Sequence, residues 1–453
     1  MQDSFFQKFS NIQLTEIENK GKGIIATKQI EAGNYLVKNH MHQFYIIILK
    51  QNIVHIVTKE KQKKNYFGVL DANTHIIVMK IVKKKIGVLH KFECNLLVES
   101  KQEINKFSET VLLVTRIMAR RYLESHNIIS QQESTFNDLL LTCSNRDLFS
   151  KERLENFGYM AMLLFRFLPK EIKMEHTDII DIFCRLSVNG FTIVNIDLQP
   201  IGFGFYPKAS FMNHSCNPNC VAVFSSNEIH IRTISNIETE EECSISYIEL
   251  MNSTQMRKKQ LLNDYLFDCK CKKCQDPQQK IIDSLLENDI LNPDQKLQSE
   301  QLFLKHKNKI NQTENEKELE KMFEDLEKAL AIFNNNENAI RCKHSIKKIA
   351  LINSLIDISV DLKKWTRAKE LCSSSIETFE LVYPEYFPTL GYRYSMLGKL
   401  SWYLFDDYFA VQTLRKSLKI VAVSHGIDHP LYKKINDLVI QTETFNLRNL
   451  SIK

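Results

Sequence analysis

The sequence predicts an α+β protein whose β-containing part comes first and whose last part is all-α and tetratricopeptide-like. Short alternations of apolar and polar residues occur in residues 23–37 and again in residues 186–250, a spacing typical of strands. Residues 277–453 have few glycines, long charged stretches of helical spacing and no such alternation. The length of 453 residues, with 43% apolar and 25% charged residues, indicates two or three lobes with cores of their own.

Two observations set the expected location. The longest apolar runs, such as residues 45–49, are too short for a transmembrane helix, and residues 1–9 contain no extended apolar segment of a secretory signal. We therefore expect a protein of the cytoplasm and nucleus without membrane contact. Cysteine is reduced in those compartments, so the eleven cysteines are interpreted as metal ligands or catalytic groups before disulfides.

The first strands are expected on either side of Ala32 and Gly33, as a β-hairpin or a strand–turn–strand unit. The next segment, residues 41–94, contains ten lysines, no arginine and three acidic residues, so its net charge is +7. Such a surface either attracts nucleic acid or acidic proteins, or is a solvated face without a partner. Both interpretations stay open.

Helices and then strands follow this basic segment. Apolar residues have helical spacing through most of residues 104–185. Four short β-like runs lie in residues 186–250, namely FTIV, VAVF, EIHIRTI and CSISYI.

The C-terminal part begins with an Asn-Pro-Asp helix start signal at residues 292–294. A pattern that starts at Trp365 is repeated 43 residues later at Tyr408, and Pro388 and Pro430 lie 42 residues apart. Helix pairs that repeat on this scale indicate a tetratricopeptide-like array, although the period is longer than the usual ~34 residues. An unrelated helical bundle is the alternative.

A cysteine cluster predicts one zinc site. Cys269, Cys271 and Cys274 supply three thiolates, whereas tetrahedral zinc requires four ligands, and Cys216 and Cys220 are both candidates for the fourth. The flanking lysines and aspartate make three buried free cysteines a poor alternative. The other cysteines have no metal-binding spacing and are interpreted as small buried residues, namely Cys94, Cys143, Cys184, Cys342 and Cys372.

The stretch Asn-His-Ser-Cys at residues 213–216, with Ser246 and Tyr247 further on, resembles the pseudoknot motif of SET-domain protein lysine methyltransferases. The similarity continues at residues 20–24, 189–193, 198–207 and 257–269, and at the turn of residues 424–430. Together these stretches resemble the SET and MYND domain (SMYD) family. The resemblance implies a β-rich SET fold with a pseudoknot and a helical insert, followed by the all-α array. The implied parts are residues 1–40 (start of the SET fold), 41–94 (basic MYND-like insert), 95–185 (helical insert), 186–250 (SET core with the knot), 251–276 (post-SET zinc segment) and 277–453 (helical domain).

The sequence departs from the SMYD pattern in two places. The MYND finger requires seven cysteines and one histidine, but residues 41–94 contain one cysteine, so we expect no zinc in this degenerate insert. Glu240 stands where the family has glycine, which implies either φ below zero or backbone strain at this turn.

The resemblance implies methyl transfer from S-adenosylmethionine to a lysine of a histone or another protein. Tyr247 matches the catalytic tyrosine. The positions that match cofactor-binding residues are Lys20, Lys22, Asn145, Asn189, Ser210, Asn213, His214, Tyr247 and Phe267. The positions that match the lysine channel are Phe191, Tyr265 and Phe267. The implied ligands of the single zinc ion are Cys216, Cys269, Cys271 and Cys274.

Two other functions remain open at this point. One is a catalytically weak SET-fold scaffold that binds protein partners through the helical domain, which the degenerate finger and Glu240 favour. The other is a nucleic-acid-binding regulator, for which the Lys-rich insert is the sole support, through a weak contact. For the enzyme we expect a monomer with a protein substrate.

Overall fold

The computed structural model describes residues 11–40, 46–49, 53–55, 109–128, 135–168, 171–172, 174–225, 228–287, 291–307, 309–310, 313, 315–334 and 342–451. The strands are β1 (Ile12–Ile17), β2 (Gly21–Ala26), β3 (Tyr35–His40), β4 (Ile46–Leu49), β5 (Ile53–His55), β6 (Gly190–Val194), β7 (Pro200–Phe205), β8 (Asn213–His214), β9 (Cys220–Ser225), β10 (Glu228–Thr233) and β11 (Glu242–Ile245). The helices of the first half are α1 (Glu109–Ser125), α2 (Phe136–Leu140), α3 (Lys151–Phe167) and α4 (His176–Asn189). Those of the second half are α5 (Thr254–Tyr265), α6 (Lys272–Gln275), α7 (Gln279–Leu286), α8 (Pro293–Lys307), α9 (Glu316–Asn334), α10 (Ile346–Asp361), α11 (Trp365–Val382), α12 (Pro388–Tyr403), α13 (Asp407–Ser424) and α14 (Pro430–Ser451).

The strands form three small sheets with the orders β1-β2-β11-β8, β3-β10-β9 and β5-β4-β7-β6. Strands β2 and β3 therefore belong to different sheets, and of the two predictions for this region the strand–turn–strand unit is correct and the hairpin is wrong. The connection instead pairs Ile30 with Ile237, and Gly33 turns the chain with φ of +88°. Long-range pairing, which local alternation cannot encode, sends the two strands to different partners.

Strand β8 lies parallel to β11, with Asn213 opposite Ser244 and His214 opposite Ile245. The other strand pairs in the described residues, such as β1 with β2 and β11 with β2, are antiparallel. This short parallel pairing brings two segments that are far apart in the sequence side by side. One strand ends two residues before Cys216, and the other ends two residues before Tyr247.

The C-terminal helices form the repeated pairs that the sequence predicts. Helices α11 and α13 begin at Trp365 and Asp407, and Pro388 and Pro430 are the first residues of α12 and α14. Proline is favoured there because the first helical N–H has no partner within the helix. Helix α12 packs closely on α13 at Gly398, where an added Cβ would lie 2.6 Å from the side chain of Leu414.

This helical array covers the outer face of β10. All six residues of β10 are buried, although apolar and polar residues alternate along it. The guanidinium group of Arg232 donates to the carbonyl oxygen of Val423 at 3.0 Å and lies 4.1 Å from the ring centroid of Tyr35. Nε2 of His429 lies 2.9 Å from the carbonyl oxygen of Phe224. Arg232 is therefore bonded to the array, whereas His230 and Glu228 on the same side of the strand bond to each other at 3.1 Å.

Two strands lie in the part of the chain assigned from the sequence to the basic insert. Strand β4 pairs antiparallel with β5 and with β7, so both join the sheet of β6 and β7. Most of residues 41–94, including Cys94 and the expected lack of zinc there, fall outside the described residues. Among the helices that the structure describes, none combines the length and the apolar character needed to cross a membrane.

Candidate functional site

Four thiols converge beneath the parallel strand pair. The Sγ atoms of Cys216, Cys269, Cys271 and Cys274 all lie within 4.8 Å of one another, and those of Cys216 and Cys274 are 3.6 Å apart. Thiolates around a tetrahedral zinc ion stand about 3.8 Å apart, since each Zn–S bond is about 2.3 Å. The donor set and its compactness therefore fit a structural zinc site.

Cys220, the other candidate for the fourth ligand, lies elsewhere. Its fully buried thiol is next to that of Cys243, and burial together with this neighbour raises the pKa of Cys220 well above the usual value. The choice between Cys216 and Cys220, which the spacing left open, is decided by the strand pairing. Strand β8 ends at His214, so that Cys216 meets the segment after α5.

His214 joins the β8–β11 strand pair to the thiol cluster. Its Nδ1 accepts the main-chain N–H of Tyr247 at 3.1 Å, so the ring proton is on Nε2, which lies 3.2 Å from Sγ of Cys216. Burial lowers the pKa of His214 to about 4, and the imidazole is therefore neutral at physiological pH.

Tyr247 is held at its hydroxyl group and at its main-chain carbonyl group. Its hydroxyl group donates to the carbonyl oxygen of Met212 at 2.6 Å, and its own carbonyl oxygen accepts the hydroxyl proton of Tyr265 at 3.1 Å. Burial raises the pKa of Tyr247 well above the usual value, so the phenol stays protonated. Because the proton is directed to Met212, the oxygen lone pairs remain for an acceptor role.

Aromatic rings surround Tyr247. The ring centroid of Tyr265 lies 4.9 Å from that of Tyr247, and that of Phe267 lies 6.4 Å from Tyr247 and 6.0 Å from His214. Leu266 ends α5 in the left-handed region with φ of +67°, which lets both neighbours take part in one cluster. Phe191, the third predicted channel residue, packs edge-on against Tyr206 with centroids 5.9 Å apart.

A polar chain runs from Asn213 to the β1–β2 turn. Nδ2 of Asn213 donates to Glu242 at 3.0 Å and lies 3.4 Å from the carbonyl oxygen of Lys22. Glu242 also forms an ion pair with Lys20. Gly23 makes this close approach sterically feasible, because a Cβ at that position would overlap the Asn213 amide.

Asn189 and Ser210 form a second polar group. Nδ2 of Asn189 donates to the carbonyl oxygens of Cys143 and Arg185, both at 2.8 Å, and Oγ of Ser210 donates to the carbonyl oxygen of Asn189 at 3.0 Å. Asn145 lies two residues beyond Cys143, in the left-handed region at φ of +49°.

Cys143 itself is exposed, so the prediction that it is buried is wrong, whereas the predictions for Cys184, Cys342 and Cys372 are confirmed. The short connection between α2 and the next turn leaves Cys143 at the surface.

Glu240 adopts φ of +65°, so the strained alternative applies at this turn. The hydrogen bond from Tyr247 to the carbonyl oxygen of Met212 cannot be predicted from the sequence, because main-chain oxygens are common to all residues. Glu242 is the partner of both Asn213 and Lys20, and the sequence signal for this role is its position only five residues before Tyr247.

The chain is similar in sequence to SET-domain proteins and to lysine methyltransferases. Residues 21–248, half of the chain, match the SET domain family model. The chain is 28% identical to the mouse (Mus musculus) histone-lysine N-methyltransferase SMYD3, over 80% of each chain. It is 27% identical to the Arabidopsis thaliana histone-lysine N-methyltransferase ASHR1, over 77% of this chain and 78% of the relative. The zebrafish (Danio rerio) N-lysine methyltransferase SMYD2-A is 24% identical over 77% and 79%. Among solved structures, Rubisco LSMT bound to AdoMet covers 96% of this chain and 95% of its own, at 11% identity and a TM-score of 0.35.

Proposed function

The chain belongs to the SET-domain family, in its SMYD branch, and from this premise we propose that it is a protein-lysine N-methyltransferase that uses S-adenosylmethionine. The observation that supports this most directly is the parallel pairing of β8 with β11. It brings Asn213, His214 and Tyr247 together with a wall made of Tyr265 and Phe267.

The residues near the knot fit the amino-acid end of the cofactor. Both donor bonds of the Asn213 amide are directed to Glu242 and Lys22, so its Oδ1 is oriented to accept a bond from an ammonium group. When bound, S-adenosylmethionine supplies an electrophilic methyl group on a sulfonium. We propose that the residues that hold it are Lys20, Lys22, Asn145, Asn189, Ser210, Asn213, His214, Tyr247 and Phe267.

The chain's own groups prepare the lysine amine. A free lysine has a pKa near 10.4, and a channel lined by Phe191, Tyr265 and Phe267 disfavours the ammonium form, so the amine loses its proton more readily. The lone pairs of the Tyr247 hydroxyl orient the amine, while the raised pKa of this phenol excludes it as a phenolate base. Most of the catalysis therefore comes from positioning, as is common when two reactants are held in line.

The zinc site has a structural role in this proposal. Ligation of Cys269, Cys271 and Cys274 to Cys216 would hold the segment with Tyr265 and Phe267 against the knot. The absence of an open coordination position in a four-thiolate site fits structure rather than chemistry at the metal. We also propose a monomer in the cytoplasm and nucleus, with the Lys-rich insert as a weak nucleic-acid contact, which the net charge of +7 in residues 41–94 supports.

Labelled methyl transfer tests the enzyme against the scaffold. The strained Glu240 favours a catalytically weak scaffold, since strain at the β11 turn lies close to Glu242 and the polar chain. Incubating the protein with labelled S-adenosylmethionine and a proteome extract should label protein bands with the wild type and far fewer with Tyr247→Phe. Cofactor binding without any label in the extract would instead support the scaffold, and loss of both would contradict the SET-type site.

A further inference from the structure

The helical array contacts the segment after Tyr247 through a buried tyrosine. Tyr383, which follows the last residue of α11, donates its hydroxyl proton to Oε1 of Glu249. The same oxygen accepts the main-chain N–H groups of Leu250 at 2.7 Å and Met251 at 3.2 Å. One carboxylate oxygen therefore joins the array to the backbone that begins two residues after Tyr247.

Tyr383 is itself firmly held. Its side chain is buried, and its ring stacks on that of Phe387 with centroids 5.3 Å apart and contacts Phe379 at 5.5 Å. The preceding carbonyl oxygen, that of Val382, accepts a hydrogen bond of 2.9 Å from Nζ of Lys273, which lies between two cysteines of the thiol cluster. The end of α11 therefore touches both the loop after Tyr247 and the zinc segment.

The hydrogen bond between Tyr383 and Glu249 restrains the position of the loop after Tyr247, in addition to the apolar packing there. Hydrogen bonds to a carboxylate are shorter and stronger than neutral ones. Burial and the adjacent Glu249 charge raise the pKa of Tyr383, so the hydroxyl remains a donor throughout the physiological range. Ile248, Leu250 and Met251 are buried in the same core cluster as Tyr383, which leaves the loop little freedom to take another path.

We propose that Tyr383 is a positioning residue for methyl transfer: through the Glu249 carboxylate, the helical array sets the path of the backbone that holds Tyr247. This inference rests on the proposed function, in which the Tyr247 hydroxyl orients the amine. Tyr383 and Glu249 are 134 residues apart in the sequence. Through this bond the array contributes to the active site without supplying a catalytic group. Small displacements of positioning groups are costly, on the order of a hundredfold in rate for about 1 Å.

The test compares two tyrosines of the same kind. Tyr394 is also buried and also donates to a glutamate, Glu380, but both partners of that bond lie within the array. Tyr383→Phe and Tyr394→Phe should lower the melting temperature to a similar extent. Only Tyr383→Phe should lower kcat, by about tenfold or more, with cofactor binding by calorimetry and zinc content unchanged. Equal losses of kcat in the two variants, or no loss in Tyr383→Phe, would overturn the proposal.

Two further measurements separate this inference from the proposed function. In a Glu249→Ala background, adding Tyr383→Phe should change kcat by less than about twofold, because the shared bond is already absent; a full multiplicative loss would refute the coupling. Hydrogen exchange of residues 248–251 should accelerate in Tyr383→Phe and not in Tyr394→Phe. That readout needs no turnover. If the wild type transfers no methyl group, the proposed function fails, while exchange still decides whether Tyr383 holds this loop.

Discussion

The hydroxyl oxygen of Tyr247 lies 2.6 Å from the carbonyl oxygen of Met212, to which it donates its proton. Met212 directly precedes the knot residue Asn213, so the phenol is oriented by the same segment that is proposed to hold the cofactor. A bond of this length to a fixed carbonyl restricts the rotation of the hydroxyl group. The oxygen lone pairs are thereby held in one direction before any substrate binds, a form of preorganisation.

Replacing Tyr247 with phenylalanine tests this role. Tyr247→Phe removes one polar atom and keeps the ring between Tyr265 and Phe267. We expect S-adenosylmethionine to bind with nearly unchanged affinity while turnover falls by about a hundredfold or more. Turnover, calorimetric affinity and melting temperature should be measured on one preparation. A lower melting temperature with an unchanged rate per folded molecule would show that the bond to Met212 is structural.

Metal analysis tests the thiol cluster. We expect one zinc ion per chain in the wild type and none in Cys271→Ser, with a matched loss of the ordered post-SET segment and of turnover. Cys372→Ser is the control, since that cysteine is buried in the array and lies outside the cluster. It should retain the metal. Two or three zinc ions per wild-type chain would contradict the expectation that residues 41–94 bind none.

Two glycines allow the contact between the helical array and the sheet of β3 and β10 to be tested. Gly426 has φ of +89°, and an added Cβ would lie 3.0 Å from the Arg232 guanidinium group and 3.1 Å from the Tyr35 hydroxyl group. Gly21 has a similar φ of +72° and no atom within 4 Å of that position. Both alanine variants incur about 1–2 kcal/mol of left-handed strain. For Gly426→Ala the free energy of chemical unfolding should fall by a further amount of about 1–3 kcal/mol, because the helical array and the sheet of β3 and β10 must separate slightly.

The left-handed backbone at Glu240 predicts that glycine is better tolerated there than at the neighbouring position 239. Glu240→Gly relieves about 1 kcal/mol of strain at φ of +65°, which offsets the entropic cost of glycine. Thr239→Gly relieves no such strain and incurs only that cost. The free energies of unfolding should therefore differ by about 1 kcal/mol in favour of Glu240→Gly. Equal destabilisation by both variants would show that Glu240 is not strained in solution.

Acid should loosen the docking of the array on β10. Burial, the neighbouring His429 and the charge of Arg232 lower the pKa of His425 to about 3. The unfolded chain, with a histidine pKa near 6.5, therefore binds more protons than the folded protein between these values. The contribution of neutral His425 is present above pH 6.5 and is lost as the pH falls through this window, by at most about 1.4 kcal/mol per pH unit.

A matched pair of variants isolates this effect from other titrating groups. His425→Asn should flatten the dependence of unfolding free energy on pH between 6.5 and 4.5, relative to the wild type. Gln255→Asn, at an exposed residue that carries no titrating group, should leave the slope unchanged. The groups that face His425 across the contact include Arg232, His429 and, beyond them, His230. Parallel slopes in all three proteins would exclude His425 as the source.

The sequence by itself determined the features that are local. The Asn-His-Ser-Cys stretch, the Cys-x-Cys-x-x-Cys spacing and the prolines at the starts of α12 and α14 could all be read without a structure, because each depends on residues a few positions apart. The helical repeat was visible for the same reason, since each repeat is one local helix pair.

The tertiary structure decided what depends on contacts between distant segments. Cys216 and not Cys220 lies in the thiol cluster, and β2 and β3 belong to different sheets. Apolar and polar residues alternate along β10, yet the strand is buried on both faces because the array packs over Arg232. The bond from Tyr383 to Glu249 spans 134 residues. Such contacts form only when packing of the whole chain compensates for the entropy of closing long loops, and no spacing in the sequence records that balance.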